Sequence, residues 1–158
     1  MEISNKLDAN LRHFHQLLRV NENFDVVYRV IQIGGRDACV YFVDGFAKDD
    51  TLLRILQGFT SLKPDAVPQT AHEFSKLFIP YGEVDLLTDD AEIAVQVLSG
   101  VPCLFVDGYS KCFAIDCRTY PARGVAEPDK DKVLRGSRDG FVETLVFNTA
   151  LIRRRILR

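Results

Sequence analysis

The chain has 158 residues, 47% hydrophobic and 27% charged, with a net charge of −2. That length suits a single domain, residues 1–158, with enough apolar surface to fold without staples. The near-balanced charge argues against a global field that would gather nucleic acid or an anionic membrane. No window approaches the roughly 20 apolar residues of a membrane-spanning helix, the longest apolar run being Ala38–Val43. No leader is expected either, because Lys6, Asp8, Arg12 and Arg19 interrupt the first 20 residues.

Taken in chain order, Leu7, Leu11, Phe14 and Leu18 fall at helical spacing and predict an amphipathic helix over residues 5–20. Residues 24–33 are rich in β-branched and aromatic side chains. A Gly34-Gly35 turn and a second apolar run follow, which reads as a β-hairpin. Asp49 and Asp50 precede a periodic apolar segment and mark a helix start. Pro64 and Pro68 mark a loop, and Thr70 with Glu73 has the spacing of a capping box. Pro80 and Gly82 end that helix. A short strand over 83–87, a helix ending at Gly100 and a strand ending at Val106 follow, and this order predicts a parallel pair with a right-handed crossover. Residues 111–117 return as a hairpin partner across Asp107-Gly108. Residues 118–137 are polar and broken by Pro and Gly, consistent with an extended surface segment. A long C-terminal helix closes the chain, with Phe141, Leu145, Ile152 and Ile156 on one face. The expected fold is therefore α/β: a small mixed β-sheet with hairpins and one parallel β-α-β crossover, packed by helices.

Two stretches look alike. Cys39–Lys48 and Cys103–Lys111 each place a cysteine and an apolar run before Val-Asp-Gly, an aromatic, a small residue and a lysine. A helix is expected after Asp44-Gly45 and a strand after Asp107-Gly108, so shared turn chemistry explains the likeness better than duplication. A strand ending in Asp-Gly also presents a carboxylate at a sheet edge, which makes Asp44 and Asp107 the ligand candidates.

Motifs for chemistry are sparse. The glycines of Ile33–Asp37 have neither phosphate-loop spacing. His13 and His15 would sit about 200° apart on a helix and cannot share a metal, and His72 lacks the second histidine of a zincin helix. There is no serine nucleophile elbow, and nothing places a histidine beside a cysteine. Asp49-Asp50 and Asp89-Asp90 are explained by helix starts. No catalytic residue, metal or cofactor is expected. Cys39, Cys103, Cys112 and Cys117 form no CxxC pair and read as reduced, buried thiols.

The most informative stretch is Arg135–Ile156, RGSRDGFVETLVFNTALIRRRI. It resembles the signature of the GerA family of spore germination proteins at Arg135, Gly136, Arg138, Gly140, Phe141, Glu143, Asn148, Arg153, Arg154 and Arg155. Ser137 and Asp139 replace the family's usual Pro and Glu, a variant closer to the stage V sporulation protein AF branch. The resemblance implies the first α/β part of a cytosolic region in a membrane protein of the spore inner membrane. It further implies a non-enzymatic signalling or assembly role in germination, through contact with partner subunits and ion release. Such a fragment is expected to leave part of its last helix uncovered and to self-associate through it. A small-ligand sensor with Asp44 and Asp107 near its pocket is the alternative. Because exposed charges contribute little to stability, replacing Arg153, Arg154 and Arg155 with Glu is expected to leave the isolated fold intact.

Overall fold

A computed structural model describes residues 1–46, 49–79, 83–118 and 145–156, the side chains of Asp49 and Asp50 excepted. The elements run α1 (Leu7–Leu17), β1 (Val26–Ile33), β2 (Arg36–Val43), α2 (Asp49–Thr60), a 3₁₀ turn (Pro64–Ala66), α3 (Ala71–Phe78), β3 (Glu83–Leu87), α4 (Asp90–Leu98), β4 (Cys103–Val106), β5 (Cys112–Asp116) and α5 (Leu145–Ile156). Polar Arg118 follows β5, and the rest of the expected extended segment lies outside the described residues.

The five strands form one sheet in the order β1-β2-β4-β5-β3. Its central strands β2, β4 and β5 are buried on both faces, which is why they read as nearly unbroken apolar runs. Their side chains alternate between two cores. Cys39, Tyr41, Val43, Cys103, Phe105, Cys112 and Ala114 meet α1, α4 and Ala150 of α5. Ala38, Val40, Leu104, Val106, Phe113 and Ile115 meet α2 and α3. The result is a three-layer sandwich, as the period-2 pleat requires.

The helices follow their sequence signals. Leu7, Phe14 and Leu18 are buried beneath α1, and the Phe14 ring lies 4.8 Å from that of Phe105. Truncating such a ring to Ala costs about 3–5 kcal/mol. The Thr70 hydroxyl accepts from the Glu73 N–H at 3.3 Å and starts α3, while Asp89 accepts from the N–H groups of Ala91 and Glu92 and starts α4. The Gly34-Gly35 loop joins β1 to β2 with φ of 54° and 77°, the positive pair a tight type I′ hairpin turn needs.

The expected parallel crossover is not formed. Every pairing in the sheet is antiparallel. β3 and β4 do flank α4 in sequence, but β5 stands between them. The reason is local. β4 has two edges; β2 takes one, and the short turn after β4 folds β5 onto the other before any longer-range strand can pair there. β3 is left to pair with the far side of β5.

Candidate functional site

Asp44 and Asp107 both end strands in Asp-Gly turns, and both glycines have positive φ, 84° at Gly45 and 93° at Gly108. The sheet separates them. Because β2 and β4 are antiparallel, their C-terminal ends lie at opposite ends of the sheet. The Asp107 N–H donates to the carbonyl of Asp37 at the start of β2, whereas Asp44 lies beyond its end. From Asp37 to Asp44 is roughly 24 Å at the antiparallel rise. The two carboxylates do not meet in one pocket. Asp107 also has a structural partner: its carboxylate accepts from the Leu7 N–H at 2.9 Å, in the first turn of α1. Asp44 is exposed, and its N–H donates to the carbonyl of Asp25.

The histidines do not converge. His13 Nε2 lies 2.7 Å from Asp90, which also receives the terminal ammonium of Met1 at 2.6 Å. That ammonium and His13 hold the Asp90 carboxyl below its usual range. His15 Nδ1 lies 2.8 Å from the hydroxyl of buried Tyr41, and His72 is on the surface of α3. Among the described residues, no three His, Cys, Asp or Glu side chains gather as a metal site. Cys39, Cys103 and Cys112 are buried, and Cys117 is half-buried. Burial pushes the Cys39 thiol up to about 12 and raises Cys112 well above the ordinary thiol range. A thiol so placed is a poor nucleophile at neutral pH.

The signature falls in two parts. Arg135, Gly136, Arg138, Gly140, Phe141 and Glu143 lie outside the described residues. Asn148, Arg153, Arg154 and Arg155 lie on α5, with Asn148 and Arg154 half-buried and Arg155 exposed. Arg153 reaches the body of the domain. Its Nε and Nη2 donate to the two carboxylate oxygens of Asp25 at 2.5 and 2.6 Å. The Asp25 side chain is 6% exposed and that of Arg153 21%. The hydrogen bond to Asp25 raises the Arg153 pKa. Arg153 is therefore not a dispensable surface charge. The expectation that all three arginines could become Glu without harm to the fold is corrected at this position, because the change would leave a buried carboxylate facing another.

α5 seats on the domain through Val146, Ala150 and Arg153. Ala150 is buried in the core beneath α1 and α4. Val146 covers Gly45, where a Cβ would stand 2.7 Å from its Cγ1. Leu145, Ile152 and Ile156 share a line, as their spacing predicts, yet they are 66%, 43% and 76% exposed. Asp25 and Val146 escaped the sequence reading. Nothing local distinguishes Asp25 from an ordinary acid before a strand. The i, i+4, i+7 spacing of 146, 150 and 153 was a usable signal, hidden by the stronger apolar stripe beside it.

The family model for the Bacillus/Clostridium GerA spore germination protein matches residues 13–158. The chain belongs to the GerA family. Stage V sporulation protein AF of Bacillus subtilis (strain 168) is 36% identical over 152 residues, covering 93% of this chain and 30% of the relative. Spore germination protein B1 of the same organism is 28% identical over 160 residues, covering 98% and 32%. The chain thus spans about a third of the length of these GerA relatives. The crystal structure of the N-terminal domain of the A subunit of the Bacillus megaterium spore germinant receptor GerK3 shares the fold. It has a TM-score of 0.73 at 21% identity, over 99% of this chain and 57% of that one. No described helix is long and apolar enough to cross a membrane.

Proposed function

We propose that this GerA-family domain is a non-enzymatic signalling and assembly module of a spore inner-membrane germination protein. It sits on the cytosolic side and acts through contacts with partner subunits that lead to ion release. The observation that carries the reading is the outer line of α5. A helix bearing part of the family signature is pinned to the domain by a nearly buried ion pair, yet turns Leu145, Ile152 and Ile156 outward. Exposed aliphatic side chains in a row on a fixed helix are suited to a protein contact. The family match and the relatives named for germination support the setting.

The test uses the full-length protein in spores. Changing Leu145, Ile152 and Ile156 together to Gln is expected to impair germination and reduce co-purification of partner subunits. Thermal unfolding of the 158-residue chain should move little, since the three positions are largely exposed. Normal germination with normal subunit recovery would remove the contact role. Sedimentation of the 158-residue chain at rising concentration reads self-association, which the same triple change should abolish.

A further inference from the structure

α5 docks with the less apolar of two adjacent lines. Successive residues on a helix lie about 100° apart. Leu145 and Ile152 therefore stand one residue-step from Val146 and Arg153. Thr149 and Ile156 complete the first line, and Ala150 falls in the second. Burial of apolar area alone favours the line with Leu, Thr and two Ile over the line with Val, Ala and Arg. The structure does the opposite, with Ala150 1% exposed and the Leu-Ile-Ile line outward.

The domain offers a reason at each end of the docked line. Gly45 leaves room for the Val146 side chain. Asp25, the one buried acidic residue among those described, points its carboxylate at Arg153, while its own carbonyl receives the Asp44 N–H of the adjoining turn. We propose that the Arg153–Asp25 pair is a roll lock: it holds α5 at the rotation that keeps Leu145, Ile152 and Ile156 outward, and its opening turns the helix one residue-step and brings Leu145 and Ile152 to the docked face. Rolled by one step, Arg153 would leave a buried carboxylate uncompensated, and that cost keeps the helix in place. Without the charge on Asp25 the cost disappears and the more apolar line wins. Leu145 then takes the place of Val146 beside Gly45, Ile152 that of Arg153, and Thr149 that of Ala150, its hydroxyl already bonded to the Val146 carbonyl of its own helix. A partner that binds the outer line selects the locked state and is coupled to the Asp44-Gly45 turn. The lock itself does not depend on what the outer line meets.

The test uses reporter cysteines at Ala150→Cys and Ile152→Cys, one at a time, in the 158-residue chain. Labelling by a thiol reagent is resolved by peptide mass spectrometry, so the native cysteines do not interfere. With the pair intact, Cys at 152 should label quickly and Cys at 150 slowly. The double change Asp25→Asn/Arg153→Ala removes both charges together while leaving the docked line the less apolar one, and should slow labelling at 152 and speed it at 150, each by about ten-fold or more. Arg153→Lys should keep the original order. Fast labelling at both positions would mean that α5 has let go; the pair would then be a plain tether and the proposal overturned. Unchanged rates at both positions would overturn it as well. Amide hydrogen exchange of β2 and β4 reports the fold. If the double variant loses that protection, Asp25→Asn alone is read in the same way. Loss of protection there too would make the pair structural and sink the lock.

Discussion

The two Asp-Gly turns are written almost identically and used differently. At Asp107-Gly108 the carboxylate holds the first N–H of α1, and the glycine faces the tip of Arg36, 3.3 Å from where a Cβ would be. At Asp44-Gly45 the carboxylate is exposed, and the glycine faces Val146 of α5. One turn starts the first helix and the other seats the last. The same local code thus supplies a positive-φ strand ending in both places, while the work of each turn is set by which helix the fold brings to it.

The comparison can be broken first at the ion pair beside the Asp44-Gly45 turn. Arg153→Glu should lower unfolding free energy by about 3 kcal/mol or more, because it leaves Asp25 buried without its partner. Arg155→Glu, at an exposed position, should change it by less than about 1 kcal/mol. Urea denaturation of both variants checks this, and equal losses would show that Arg153 carries no special weight.

The glycines give the next largest difference. Gly108→Ala should cost about 1–2 kcal/mol for its left-handed backbone. Gly45→Ala carries that cost and must also displace Val146, adding about 1 kcal/mol or more. Should the two prove equally costly by urea midpoint, α5 moves off Gly45 freely and the seat is weak.

The carboxylates separate the turns by a smaller step. Asp107→Ala removes a hydrogen-bond acceptor from the start of α1 and should cost about 1 kcal/mol. Asp44→Ala should stay within about 0.5 kcal/mol. Thermal unfolding of the pair decides, and a large loss at Asp44 would reveal a role the structure does not give it.

The cysteines should show where the two stretches are alike. Cys39 and Cys103 both sit in the core beneath α1 and α4. Both should label slowly in the native state and fully after denaturation, with half-buried Cys117 ahead of them. Rapid native labelling of either would mean that its strand opens locally.

Much of the scaffold was legible because its signals are local. The capping pair Thr70 and Glu73, the N-cap at Asp89 and the Gly34-Gly35 hairpin are short-range patterns, and each appears where expected. The apolar stripe of α5 was legible too, at least for Leu145, Ile152 and Ile156. Its orientation was not, since periodicity shows which residues share a face and not which face docks. The candidate site suffered from the same limit. Asp44 and Asp107 looked equivalent in one dimension, and strand direction put them at opposite ends of the sheet.

By itself the sequence determined the elements, the turn chemistry and, through Arg135–Ile156, the family. These depend on residues within a few positions of one another or on a long contiguous motif. Only the tertiary structure decided strand order, the insertion of β5 between β3 and β4, and the pairing of Asp25 with Arg153 across 128 residues of chain. Such choices turn on competition between distant segments for the same edge or the same buried charge. Loop closure and desolvation settle that competition, and neither leaves a local mark in the sequence.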